Sequence, residues 1–256
     1  MHCERMEYIT SAKNPLISRI RKLGTDRKTR RAEGVFLCEG PKMLGEALRW
    51  GSEVETVVAV EGTQLPELPT SVRVVEVPEN LLRSVALTET PQKMVFLCKG
   101  RSLTLPEQLE GDRWLVLDGL QDPGNVGTIW RTADAFGASG LLLCDSCDPW
   151  NPKVVRATMG AVFRLPVYEG GMDDVAGLLE RSGLPLYATA LREDTLDARE
   201  VDLRRSAVVI GSEGRGVSQR ALELCRATVK IPMTERCESL NAAMAAAVVL
   251  WEGWRI

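Results

Sequence analysis

The sequence predicts an α/β protein in two parts: a C-terminal Rossmann-like domain on a parallel sheet, and a smaller N-terminal α/β sandwich. Three observations carry this. Strand and helix signals alternate along 35–98 and again along 114–256, the order that yields a parallel sheet with helices on both faces. Leu115–Leu117 and Val208–Ile210 are continuously apolar, as strands buried on both sides are. The stretch Lys99–Arg113 is polar, carries Gly and Pro, and divides the parts as a linker. The expected division is therefore 1–98, 99–113 and 114–256.

Residues 8–35 read as a basic arm. Asn14 can cap a helix with Pro15 at its first position, and Leu16, Ile17, Ile20 and Leu23 fall at helical spacing. Between Lys13 and Arg31, the cations Lys13, Arg19, Arg21, Lys22, Arg27, Lys28, Arg30 and Arg31 share the run with one acid, Asp26. One sign of charge over so short a run points to a phosphate-binding surface.

Val35–Cys38 is the next strand, and Glu39-Gly40-Pro41 opens a helix through Trp50. Val54–Val60, Val72–Val77 and Met94–Cys98 read as strands, and Pro78 to Leu87 as a helix. Past the linker, Trp114–Asp118 is a buried strand. Gly119–Gly127 is a loop with three glycines, and Thr128–Phe136 a helix stopped at Gly137. Then follow a strand at Gly140–Cys144, a helix at Pro152–Met159, an extended stretch at Phe163–Tyr168 and a helix at Met172–Arg181. Pro185–Leu191 and Ala207–Gly211 are strands, the second leading through Ser212–Val217 to a helix from Ser218. Near the end comes a short strand, Val229–Ile231, and a turn at Pro232. Ser239 would cap a helix over Leu240–Trp251 that is dense in alanine.

The totals exclude several classes. With 45% hydrophobic and 26% charged residues the chain has an ordinary globular composition. It has no membrane-length apolar run and no apolar signal core at its N-terminus, so a cytoplasmic protein is expected. Seven cysteines at scattered spacings argue for reduced thiols. Cys144-x-x-Cys147 has no second pair at zinc spacing, and a strand end followed by a loop cysteine accounts for it; no metal is expected. The single histidine is His2, which removes most histidine-based acid–base and metal schemes. Neither G-x-G-x-x-G nor a P-loop with its lysine is present.

Three loops at carboxyl ends of strands carry the chemistry, because open α/β sheets bind ligands there. The first holds Asn125, a donor and an acceptor, and Arg131, one helical turn beyond Gly127. The second is Gly211-Ser-Glu213-Gly-Arg-Gly216, whose glycines let backbone groups approach a ligand. The third runs from Ile231-Pro-Met233 to Ser239-Leu240-Asn241.

In order and spacing these stretches resemble the SpoU/TrmH family of RNA 2′-O-methyltransferases in the SPOUT superfamily. Asn125-Val-Gly-Thr-Ile-Trp-Arg131 looks like the family's first motif, Ile210-Gly-Ser-Glu213-Gly-Arg-Gly216 its second, and Ile231–Met233 through Ser239-Leu-Asn241 its third. Gly34–Gly40 and Thr88–Gln92 carry a weaker match to the ribosomal-protein-like substrate-binding domain often fused upstream. The resemblance implies a deep trefoil knot in the C-terminal domain, a homodimer, S-adenosyl-L-methionine as cofactor, and methyl transfer to a ribose 2′-hydroxyl of RNA, ribosomal RNA foremost. Periodicity gives no hint of the knot, which general rules of chain topology would reject.

The resemblance also implies roles. Gly211, Ile231 and Leu240 would contact the cofactor through backbone groups, with Gly216 and Met233 beside them and Thr189 and Ala190 lining the same pocket. Arg131 would clamp the phosphate next to the target ribose, since a guanidinium is a poor base at neutral pH. Asn125 would orient the 2′-hydroxyl, Glu213 would fix Arg131 or the loop, and Ser239 and Asn241 would complete the site. Lys153 and Arg156 would face RNA or a partner subunit. Thr158 stands where many relatives have serine, and keeps the hydroxyl. Transfer RNA as substrate, a non-catalytic RNA-binding protein of this fold, and a nicotinamide oxidoreductase are the alternatives; intact Asn125, Arg131, Glu213 and Asn241 disfavour the second, and the missing fingerprint disfavours the third.

Overall fold

A computed structural model describes residues 7–88, 90–192, 194–234, 236 and 239–254; His2 lies outside them. The chain forms two compact units. One takes residues up to Arg101 together with Trp150–Phe163, and the other takes Ser102–Pro149 and the chain from Arg164 onward.

In the first unit the elements run β1 (Glu7–Tyr8), α1 (Pro15–Thr25), α2 (Arg27–Glu33), β2 (Val35–Glu39), α3 (Pro41–Arg49), β3 (Val54–Val60), β4 (Arg73–Val77), α4 (Glu79–Arg83) and β5 (Met94–Lys99). The sheet order is β1-β4-β3-β5-β2. β3 runs parallel to β4, and β5 antiparallel to both β3 and β2. Asn14 caps α1 by accepting from the Leu16 N–H at 2.8 Å. Leu16, Ile17, Ile20 and Leu23 bury against Leu37, Val75, Val95 and Leu97 of the sheet.

The basic stretch is thus a packed helix pair and not a free arm, and this corrects part of the phosphate-surface expectation. Arg30 is only 3% exposed, and its Nη1 donates to the Leu23 carbonyl at 2.7 Å. Arg19 pairs with Glu33 at 2.6 Å and also with Glu55. Arg21 donates to the Ala12 carbonyl and to Ser84 Oγ, each at 2.9 Å, and Arg31 is half-buried. Lys13, Lys22, Arg27 and Lys28 remain exposed.

Helix α4 is shorter than Pro78–Leu87 suggests. The Ser84 hydroxyl donates back to the Leu81 carbonyl, and Glu39 takes the next groups. Its carboxylate accepts from Leu87 N at 2.8 Å, Thr88 Oγ1 at 2.6 Å and Gln92 N at 3.1 Å. The later segment joins this unit by aromatic packing: Trp150 stacks on Phe36 at 4.7 Å between ring centroids, with Phe163 at 6.2 Å on the same ring. Such pairs add attraction beyond the area they bury.

The second unit contains β6 (Arg113–Asp118), α5 (Pro123–Ala135) and β7 (Gly140–Cys144). The chain then passes through α6 (Pro152–Ala157), which belongs to the first unit, and returns. It continues as β8 (Val167–Glu169), α7 (Met172–Arg181), β9 (Leu186–Thr189), β10 (Leu196–Asp197), β11 (Ser206–Gly211), α8 (Gln219–Leu224), β12 (Ala227–Lys230) and α9 (Ala242–Trp254). The order is β10-β12-β9-β11-β6-β7-β8, and every pairing is parallel. The expected parallel sheet is therefore present; two-residue β10 is the strand that propensity does not announce. Of the polar stretch Lys99–Arg113, residues 99–101 belong to the first unit; from Ser102 it lies on this one, with Leu109 buried and Leu105 packed against Gly170. Lys153 and Arg156 are exposed on α6, and Thr158 at its end is fully buried, its hydroxyl donating to the Val155 carbonyl.

Candidate active site

The carboxyl ends of β6, β9, β11 and β12 converge on one side of the second unit's sheet. The helix after β6 starts earlier than expected. Asp122 is its N-cap, accepting from Asn125 N at 2.8 Å, and Pro123 occupies the first turn. Asn125 and Gly127 thus sit in the opening turns of α5 and not in a loop, because an aspartate followed by proline is a strong helix start. Asp122 is a site residue that sequence reading passed over; the Asp-Pro pair was the available signal. Arg131 projects, exposed, two turns along, with no hydrogen bond or ion pair among the described residues.

After β11 the chain folds tightly on itself. Ser212 and Gly216 exchange backbone hydrogen bonds at 3.0 and 2.9 Å, and Gly216 adopts φ +68°. A Cβ on Gly211 would lie 2.2 Å from the Gly216 carbonyl carbon and the Val217 nitrogen. Only glycine fits there, since real contacts of that kind are never so short. The loop carries Glu213 outward.

The third strand end leads to α9. Its cap is Asn241, not Ser239: Asn241 Oδ1 accepts from Ala243 N at 2.9 Å and Met244 N at 3.3 Å. Both residue types cap helices well, and Asn241 is the one adjacent to the alanine run.

A side-chain chain links the three segments. Asn125 Nδ2 donates to Glu213 Oε1 at 2.5 Å, and Asn241 Nδ2 donates to Asn125 Oδ1 at 3.1 Å. A carboxylate only accepts, so it turns the Asn125 amide nitrogen toward itself. That leaves Asn125 Oδ1 for Asn241, whose own oxygen is free to cap α9. Glu213 therefore holds Asn125, where the expectation had it fixing Arg131 or the loop.

Beside this chain lies a cleft of about 310 Å³. Thr189, Ala190, Gly211, Gly216, Ile231, Met233 and Leu240 all line it, as do Glu213 and Ser239. Sequence reading missed Ser212, Val217, Lys230 and the small wall residues Ala242 and Ala245. Asn125, Arg131 and Asn241 are not among the residues lining it. The Thr189 hydroxyl donates to the Val209 carbonyl at 2.8 Å, so it braces the wall. An apolar cleft with a few fixed polar groups suits a small organic ligand with a flat ring better than a triphosphate.

The fold and cleft define an α/β protein with a ligand site at the carboxyl edge of a parallel sheet. Residues 112–251 match the SpoU rRNA methylase family, and residues 14–95 match the MRM3-like substrate binding domain. The chain belongs to the SpoU rRNA methylase family. It is 32% identical over 250 residues to the 23S rRNA (guanosine(2553)-2′-O)-methyltransferase RlmP of Bacillus subtilis (strain 168), covering 96% of this chain and 98% of that one. It is 31% identical to the 23S rRNA (uridine(2479)-2′-O)-methyltransferase of Streptomyces viridochromogenes, covering 91% and 86%. Among solved structures, the AdoMet-bound rRNA methyltransferase from Sinorhizobium meliloti superposes with a TM-score of 0.84 at 32% identity, covering 96% of this chain and 97% of that one.

Proposed function

We propose that this protein transfers a methyl group from S-adenosyl-L-methionine to a ribose 2′-hydroxyl of ribosomal RNA. The observation that carries the reading is the cleft with the Glu213–Asn125–Asn241 chain at its edge, made from three separate strand ends. Its residues fit the cofactor: backbone groups at Gly211 and Ile231 can meet an adenine edge, and Leu240 and Met233 can cover its faces. When bound, the cofactor supplies the activated methyl group.

The chain's own residues then position the acceptor. Arg131 is exposed and has no partner among the described residues, so its guanidinium is available to clamp a phosphate bidentately. Asn125 keeps one amide hydrogen and one oxygen lone pair beyond its bonds to Glu213 and Asn241, enough to orient a hydroxyl. Ser239 borders the cleft near the reacting groups. Methyl transfer depends on in-line placement, so positioning supplies most of the rate.

The N-terminal unit would grip the RNA, with Lys13, Lys22, Arg27 and Lys28 as its exposed cations; Lys153 and Arg156 would add to it. A homodimer belongs to the same reading. Met244, Val248 and Trp251 lie exposed along one side of α9, an apolar stripe suited to a second copy. The knotted path and a cytoplasmic location are likewise part of it; no helix among the described residues is long and apolar enough to cross a membrane. The test is methyl transfer from labelled cofactor to 23S-type rRNA, with the 2′-O-methyl position then mapped. Transfer to a base, or none to rRNA, would reject the reading.

A further inference from the structure

Behind the loop Ser212–Val217 sits a buried acid, Asp118. It ends β6, in register with Gly211 on one side and Cys144 on the other. It is 7% exposed, and its Oδ2 accepts from Ser218 N at 2.6 Å. It forms no ion pair among the described residues. A buried carboxylate without a cation is unfavourable unless hydrogen bonds offset its desolvation, so this bond has to be strong and fixed.

Its donor is well chosen. Ser218 is the N-cap of α8, and its own hydroxyl accepts from Ala221 N at 3.2 Å. The loop therefore leaves from β11 at Gly211 and ends at a residue pinned on both sides. Between these points Ser212 and Gly216 close on each other, and Gly211, Ser212, Glu213, Gly216 and Val217 face the cleft.

We propose that Asp118 is a positioning residue: it holds the exit of the loop, and through the loop it sets the cleft wall and the reach of Glu213. The inference rests on the reading of the cleft as the S-adenosylmethionine site. Asp118 touches neither cofactor nor RNA; it acts through the Ser218 N–H.

The test is isothermal titration of S-adenosylmethionine, with melting followed in parallel. Asp118→Ala should weaken binding about tenfold, the scale of a charged hydrogen bond. Asp118→Asn keeps an acceptor of the same shape and should restore most of the affinity. A second pair reaches the bond from the other side. Ser218 has φ −63°, which matches proline's fixed φ, so Ser218→Pro deletes the donor and also sets its ring against the carboxylate that Ser218 N meets at 2.6 Å. Ser218→Ala removes the hydroxyl and keeps the N–H. Ser218→Pro should bind at least as weakly as Asp118→Ala, and Ser218→Ala, which loses only the cap to Ala221, clearly more tightly than Ser218→Pro. Equal binding by Ser218→Pro and Ser218→Ala would overturn the proposal, as would wild-type affinity in a folded Asp118→Ala protein. A wild-type protein that binds no S-adenosylmethionine would instead remove the reading of the cleft itself.

Discussion

Asn125 donates its side-chain amide to Glu213 at 2.5 Å, joining residues 88 positions apart in the chain. The bond orients the amide, and the amide orients Asn241, which caps α9. One carboxylate thus sets the geometry of two helix starts at the edge of the cleft.

Breaking that chain at its far end should be felt in both stability and activity. Asn241→Ala removes the α9 cap and is expected to lower unfolding free energy by about 1 kcal/mol, read by urea denaturation. Methyl transfer should fall as well, because Asn125 Oδ1 loses its donor. Glu213→Gln keeps an acceptor for Asn125 and should retain more activity than Glu213→Ala.

Arg131 should separate chemistry from cofactor binding. Arg131→Ala is expected to reduce transfer by about a hundredfold or more, the scale of losing one preorganised charged donor. Its affinity for S-adenosylmethionine, measured by titration, should stay near wild type. Arg131→Lys should recover little, since a point charge cannot reproduce a bidentate clamp.

The basic helices divide into structural and surface cations. If Lys13, Lys22, Arg27 and Lys28 each meet a phosphate, log affinity for single-stranded RNA should fall against log salt with a slope near −3. Arg30→Ala should leave that slope unchanged and instead lower stability by about 2 kcal/mol, because it removes a buried charged hydrogen bond. A filter-binding salt series with a denaturation curve checks both.

Much of the fold was legible because its signals are local. Alternating apolar strands and amphipathic helices announced the sheet, and the glycines and polar residues of the three loops announced the site. What was not legible depended on competition or distance. Ser239 and Asn241 are both good caps two positions apart, and sequence alone does not rank them. Arg30 looks like its neighbours in a run of cations until Leu23 is seen to offer it a carbonyl. The membership of Trp150–Phe163 in the first unit rests on a stack with Phe36, more than a hundred residues away. Small residues such as Ala242 and Ala245 shape a cleft by what they lack, which no motif records.

Gly211 is a tight point of the cleft wall. Gly211→Ala places a Cβ 2.2 Å from backbone atoms of Gly216 and Val217, so the loop must shift. Cofactor affinity is expected to fall at least tenfold, with a smaller change in melting temperature; fluorescence or calorimetric titration beside a melt reads the two.

The most direct measurement of the central claim is titration of S-adenosylmethionine into wild-type and Ala245→Leu protein. Ala245 is a half-buried wall residue of the cleft, and leucine there fills space meant for the ligand. The wild-type chain should bind one cofactor per cleft, and the folded Ala245→Leu protein should bind none. Undiminished binding by a folded Ala245→Leu protein would place the cofactor elsewhere and contradict the account.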